Sequence, residues 1–290
     1  MSASPLLFTR FVDDAAMFPP GNSSADQAVA AHAGYRRAWF ASLVGPLVVS
    51  DQRLVEVGRE VRRAGSETPV AVSVVITGGA GGVVSLANRS VDGIEVVAVE
   101  AALRDLDDLA GNVARVSAAA DQLDDGIAVY VEIPYAPGWE RAVAAVEAAG
   151  CRGKLRTGGP ETADTPTVAQ LAGQLSELVE ADLPFKATAG LHRAFPTPGV
   201  DPRRPAQHGF LTLLAAVDAL VEGATVPDTA AVLGREDRDA LIAELAGWDE
   251  HRAARVRRRW LSFGCCGILD PVQDLLEAGL ISGGSEGRPE

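Results

Sequence analysis

Short runs of β-branched and other apolar residues alternate along the chain with longer alanine-rich stretches whose apolar positions recur at helical spacing. Brief runs that are apolar on both faces read as buried strands of a parallel sheet. They predict strands over Leu6–Val12, Pro46–Val49, Val70–Ile76, Gly93–Val99, Ile127–Ile133, Gly153–Arg156, Pro184–Thr188 and Trp260–Cys265. Amphipathic stretches predict helices over Ser24–Phe40, Asp51–Ala64, Ala101–Gln122, Gly138–Ala149 and Thr165–Ala181, a short one at Val83–Arg89, and a last one over Asp270–Ala278. Ser24, Asp51 and the Asp270-Pro271 pair are suited to helix starts. Eight such units in 290 residues predict an α/β fold, a closed (β/α)8 TIM barrel forming one domain over residues 1–281. An open doubly wound sheet would carry a phosphate-binding glycine fingerprint after its first strand, and none is present.

The seventh unit is longer than the others, with an insertion over about 195–259. Phe195–Pro205 reads as a proline-rich loop, and His208–Glu222, Asp228–Gly247 and Asp249–Arg259 as helices. Because the insertion starts beside the C-terminal strand ends, part of it is expected to cover the barrel mouth as a lid. Its arginine-rich final helix reads as a solvated face. The glycine run Gly78–Gly82 reads as a mobile loop, or alternatively as a close approach to a ligand anion. The Gly/Ser/Glu-rich tail over 282–290 is expected to be disordered.

Composition narrows the function classes. A net charge of −13 lacks the basic footprint of a nucleic-acid or anionic-membrane binder. No apolar run reaches the roughly 18 residues a membrane span needs, and the N-terminus lacks a secretory leader pattern, so a cytoplasmic protein is expected. Cys151, Cys265 and Cys266 form neither a disulfide framework nor a zinc spacing, and no metal or cofactor is expected. Assembly into a homo-oligomer is left open.

The basic residues are more informative. Of 26, only Lys154 and Lys186 are lysine. A chain that uses arginine wherever charge suffices keeps lysine where an amine must lose its proton and attack a carbonyl, which a guanidinium cannot do. Both lysines fall at predicted C-terminal strand ends, where barrels of this kind carry their chemistry. The same ends carry Asp13, Asp14, Glu95, Glu132, Arg156 and Thr188. Period-two alternation puts Lys154 and Arg156 on one face and Lys186 and Thr188 on another. If both faces point inward, two ammonium groups share a pocket. At about 5 Å and an effective dielectric of about 20 they repel by roughly 3 kcal/mol, enough to lower one pKa by about two units. The competing expectation is an ion-pair network in which Glu95 and Glu132 neutralise the lysines.

Several motifs bear on this choice. Six segments stand out: Val12-Asp-Asp14-Ala-Ala-Met-Phe-Pro-Pro20, Val91-Asp-Gly-Ile-Glu95, Val129-Tyr-Val-Glu132, Lys154-Leu-Arg-Thr-Gly, Phe185-Lys186-Ala-Thr-Ala-Gly190 and Ser262-Phe-Gly-Cys-Cys-Gly267. Together they resemble the deoxyribose-phosphate aldolase family, class I aldolases on a (β/α)8 barrel. The resemblance covers most of the chain and is strongest over strands six to eight. It implies that Lys154 forms the Schiff base, that Lys186 tunes it, that Glu95 stands at the catalytic aspartate and that Asp14 stands at the family's first-strand aspartate. The chain departs from the family at its phosphate site, where Ala189, Cys266 and Gly267 replace glycine and serine groups, and Arg156 is an added cation suited to a carboxylate or phosphate.

The sequence-level expectation is therefore a metal-independent carbon–carbon lyase acting on a small carbonyl compound with an anionic group. Lys154, Lys186 and Glu95 are the expected catalytic residues. Arg156, Asp14, Glu132, Thr157, Thr188, Gly190 and Gly264 are expected to bind substrate. The alternatives are an imine-forming dehydratase or isomerase, and a non-catalytic anion-binding barrel. His192 and His208 have no assigned role.

Overall fold

The computed structural model describes residues 3–159, 161, 164–200 and 206–283. The disordered tail expected over 282–290 thus lies almost wholly outside the described residues, as does the second half, 201–205, of the expected proline-rich loop. Eight parallel strands close into a barrel in sequence order: β1 (Val12–Asp14), β2 (Val44–Ser50), β3 (Val70–Ile76), β4 (Ile94–Ala102), β5 (Ala128–Glu132), β6 (Arg152–Arg156), β7 (Phe185–Thr188) and β8 (Trp260–Cys265). β1 pairs with both β2 and β8, so no strand edge is left open. This is the (β/α)8 TIM barrel that the alternation predicts.

The helices are α1 (Ala25–Tyr35), α2 (Leu54–Arg63), α3 (Gly79–Ala87), α4 (Leu109–Ala120), α5 (Trp139–Ala148), α6 (Val168–Glu180), α7 (Phe210–Val221), α8 (Val226–Leu233), α9 (Arg238–Ala246), α10 (Glu250–Arg259) and α11 (Leu269–Glu277). Local chemistry sets several starts. Thr167 caps α6, its hydroxyl accepting from the Gln170 amide while the Gln170 side chain accepts from the Thr167 amide. Asp249 caps α10 in the simpler way.

Four expectations about elements need correction. Pro5–Phe8 is a 3-10 turn, and β1 is only three residues long. The Gly78–Gly82 run is no loop: α3 starts inside it, with Gly78 at the cap position. Residues 228–247 form two helices, because Gly234 closes α8 and Asp237 caps α9. Among the described residues, the helices of the insertion also do not roof the barrel. α8 packs on α6 and α7, and α10 packs on α7, β8 and the Pro5–Phe8 turn. Those contacts place these helices on the flank and toward the N-terminal end, so the expected lid over 208–259 is not formed by them.

Apolar side chains fill the shell between strands and helices in two clusters, the smaller one joining β2, β3 and β4 to α1, α2 and α3. At the N-terminal ends of β1, β7 and β8, Phe11, Phe185 and Trp260 pack together and against Phe263 from further along β8, with the Arg257 guanidinium 4.5 Å from the Phe11 ring centre. The barrel interior above them is charged.

Candidate active site

Six charged side chains and two serines converge inside the barrel, contributed by seven of its eight strands. Lys154 on β6 and Lys186 on β7 are directly paired in register. Both contact Glu100 of β4: Lys154 Nζ lies 2.8 Å from Oε2 and Lys186 Nζ lies 2.7 Å from Oε1. Lys154 also contacts Glu132 Oε2 of β5 at 2.9 Å, and Lys186 contacts Asp13 Oδ2 of β1 at 2.5 Å. Ser73 of β3 donates to Glu100 Oε1 at 2.6 Å, and Ser262 of β8 donates to Asp13 Oδ2 at 2.9 Å. Arg156, last in β6, completes the set, with its Nε 3.0 Å from Glu132 Oε1 and its Nη1 donating to the Gly158 carbonyl at 3.3 Å. Below, the Tyr130 ring centre lies 5.4 Å from Lys186 Nζ.

Exposure is graded through this layer. Asp13, Glu100, Lys154 and Lys186 are buried, Glu132 is 14% exposed, and Arg156 is 47% exposed. The chain of contacts thus runs from solvent at Arg156 through Glu132, Lys154, Glu100 and Lys186 to Asp13. Its three carboxylates and three cations balance. A buried charge without a partner costs several kcal/mol, so this mutual satisfaction is what allows the layer to exist.

The electrostatics follow from who shares with whom. Burial alone would lower the Lys154 pKa, but Glu100 and Glu132 outweigh it and hold the ammonium above its ordinary value. Burial is likewise outweighed at Lys186, by Asp13 and Glu100, and its pKa is raised strongly. Glu100, with an ammonium on each oxygen, is held far below the carboxylate range although burial opposes this. Glu132 is lowered too, by Lys154 and Arg156 against burial. Asp13 shifts the other way: burial raises it, and the one ammonium it shares with Glu100 does not fully compensate.

These directions correct one sequence-level argument. The lysines do share a pocket, well within the roughly 10 Å over which charges act in ordinary salt. However, a carboxylate lies between them, so their repulsion does not free an amine. The competing ion-pair expectation describes the resting layer, with Glu100 in the place expected for Glu95.

Glu95 is not in the site. It is exposed near the start of β4, at the opposite end of the barrel from the strand ends. β4 runs on to Ala102, which leaves Glu95 at its N-terminal end, and a bulge beyond it decides which later acid faces inward. Val72 pairs with Val96, but the next residue, Ser73, pairs with Ala98. The extra residue reverses the alternation of β4 and turns Glu100 inward. Asp14 also points away. Its Oδ2 lies 3.0 Å from His32 Nδ1 of α1 in the shell outside the barrel, and its Oδ1 accepts from the Ala16 amide. Asp13 is the inward carboxylate of β1.

Thr157 and Gly190 join loops rather than line the mouth. The Thr157 hydroxyl donates to the carbonyls of Thr188 and Ala189. Gly190 has φ +75°, and a Cβ there would lie 2.9 Å from the Gly158 Cα, so only glycine fits. Arg156, Thr188 and Gly264 lie in register across β6, β7 and β8, one pleat above Lys154, Lys186 and Ser262. A Cβ on Gly264 would make only ordinary van der Waals contacts, with Ala15 Cβ at 3.7 Å and Thr188 Oγ1 at 3.8 Å.

Beside the mouth, His192 Nδ1 lies 3.6 Å from both Cys265 Sγ and Cys266 Sγ. Burial pushes the Cys265 and Cys266 thiols up and the His192 imidazole down, all toward their neutral forms. His208 Nε2 lies 2.8 Å from the Pro166 carbonyl and ties the insertion to the start of α6. Among the described residues no group of three or more His, Cys, Asp or Glu is placed to hold a metal ion. None of the helices described is long and apolar enough to cross a membrane.

No protein-family model matches the chain, and no curated protein matches it in sequence. Among solved structures, Rhizobium etli pyruvate carboxylase T882A with the allosteric activator acetyl coenzyme A aligns at a TM-score of 0.42 and 12% identity, over 95% of this chain and 26% of the carboxylase. Xanthomonas albilineans dihydropteroate synthase, in complex with indole-2-carboxylic acid and 6-chloroguanine, aligns at 0.40 and 16% identity, over 93% of this chain and 92% of the synthase. Likenesses this shallow carry no argument about chemistry.

Proposed function

We propose that this barrel is an enzyme that forms an imine between Lys154 and a small carbonyl substrate bearing an anionic group, and that it acts as a class I aldolase or related carbon–carbon lyase. The observation that supports this best is the placement of Lys154. Its nitrogen lies between two carboxylates near the C-terminal ends of the strands, with a second ammonium fixed on the far oxygen of one of them. Glu132 at 2.9 Å is within reach to accept the ammonium proton and later return it to the carbinolamine oxygen as water leaves. Lys186 acts through Glu100. It holds that carboxylate ionised, so that the positive charge of the protonated imine is met by a fixed negative group. The protonated imine is then the electron sink for breaking or making the adjacent carbon–carbon bond.

Reductive trapping tests this reading. With cyanoborohydride and a reactive carbonyl compound, the peptide containing Lys154 should gain the mass of the reduced adduct. Lys154→Arg should abolish that gain, because the guanidinium keeps the charge and loses the nucleophile. A protein whose Lys154 takes up no carbonyl compound of any kind would be the non-catalytic anion-binding barrel instead. A dehydratase or isomerase shares the imine and is separated by its products.

A further inference from the structure

We propose that Arg156 and Glu132 form a carboxylate-exchange site, and that the substrates are 2-oxo acids, in which the carboxylate is bonded directly to the carbonyl carbon. The proposal rests on Lys154 being the imine-forming residue. Its own basis is the bridging position of Glu132. One carboxylate spans the two cations, with Oε2 on Lys154 Nζ at 2.9 Å and Oε1 on Arg156 Nε at 3.0 Å.

That bridge measures how far apart the two cations stand. The guanidinium also donates from Nη1 to the Gly158 carbonyl at 3.3 Å, which favours its present place over one swung out to a distant anion. A substrate that gives its carboxylate to Arg156 and its carbonyl carbon to Lys154 must therefore carry the two groups side by side. A phosphate ester several carbons from the carbonyl does not meet both. Arg156 is also the most exposed member of the layer, so an arriving anion meets it first.

The exchange has a chemical consequence. When the substrate carboxylate takes Arg156, Glu132 loses one of its two cations and becomes a stronger base while still touching Lys154. The proton moves from Lys154 Nζ to Glu132. The amine lone pair attacks the carbonyl carbon, the C=O π pair passes to oxygen, and that oxygen takes one of the two protons left on nitrogen, giving the neutral carbinolamine. Glu132 returns the proton to that hydroxyl, the C–O bond breaks, water leaves, and the protonated imine remains. Charge and atoms balance: ammonium plus ketone gives iminium plus water. Binding of the correct anion thereby switches on the nucleophile, and an uncharged carbonyl compound leaves Glu132 held by Arg156.

The test compares the rate of cyanoborohydride trapping at the Lys154 peptide for pyruvate, propanal and dihydroxyacetone phosphate. In the unaltered protein pyruvate should exceed propanal by about 10- to 100-fold, the range of a charge-assisted hydrogen bond. Arg156→Leu should reduce that preference to near unity, and Arg156→Lys should restore part of it. Glu132→Gln should slow trapping of every probe, because the proton carrier is gone. Circular dichroism confirms that each variant folds. Equal rates for pyruvate and propanal, faster trapping of dihydroxyacetone phosphate than of pyruvate, or a preference that survives Arg156→Leu would each overturn the assignment while leaving the imine reading intact. Absence of any adduct at Lys154 would remove both.

Discussion

Lys154 and Lys186 stand opposite each other across the β6–β7 pair and divide Glu100 between them, one ammonium on each oxygen. The unit to be perturbed is therefore a triad, not two independent lysines. Removing Lys186 leaves Asp13 without its cation and Glu100 with one. Lys186→Met is expected to destabilise the fold by about 3–5 kcal/mol in urea titrations, the cost of breaking a buried pair. Adding Asp13→Asn should recover part of that loss, and a double-mutant cycle measures how much. Independent, additive effects would show that Lys186 and Asp13 are not coupled.

Glu95 and Glu100 give a second contrast. Glu95 is exposed and outside the site, so Glu95→Gln should change stability by no more than about 0.5 kcal/mol and leave adduct formation at Lys154 untouched. Glu100→Gln should impair both. Mass spectrometry after trapping, beside thermal unfolding, distinguishes them.

Asp14 and His32 form a buried pair outside the barrel. Asp14→Asn should cost about 1–3 kcal/mol of stability through a weakened buried hydrogen bond. The trapping rate at Lys154 should not change, which would separate this carboxylate from the site that the first-strand motif suggests.

The layer also sets a pH profile. Glu100 and Glu132 are lowered from 4.5, so below that pH the unfolded chain binds more protons than the folded one. Their stabilisation is present above about pH 4.5 and is lost as the pH falls. The lysines are raised from 10.5, so theirs is present below that value and lost as the pH rises through the folded values. Asp13, raised from 3.8, works against the acid-side trend. Urea midpoints measured across pH should show a plateau between these limits, and Glu132→Gln should flatten the acid limb.

The eight-strand barrel was legible because its strands are short, apolar and separated by helical periodicity; β8 matched to the residue. The two lysines and Arg156 were legible because alternation holds over the short segments that carry them. Glu100 was not. Counting by twos from Ile94, which packs with the apolar shell, puts Glu100 outward, and only the pairing with β3 reveals the bulge that reverses it. Asp13 and Asp14 are adjacent acids on a three-residue strand, where nothing local says which faces inward; the apolar shell and His32 decide it. The insertion was misplaced because its helices carry apolar faces that fit either the barrel mouth or its flank, and packing on α6 and α7 selects the flank.

The balance of three acids against three bases inside the barrel has a kinetic side. Those six charges cancel, so the net −13 of the chain lies outside that layer. A small anion approaching from bulk solvent crosses a repulsive field before it meets Arg156. Raising the ionic strength screens that field. Capture of an anionic substrate should then become faster with added salt, opposite in sign to proteins whose surface charge draws the ligand in.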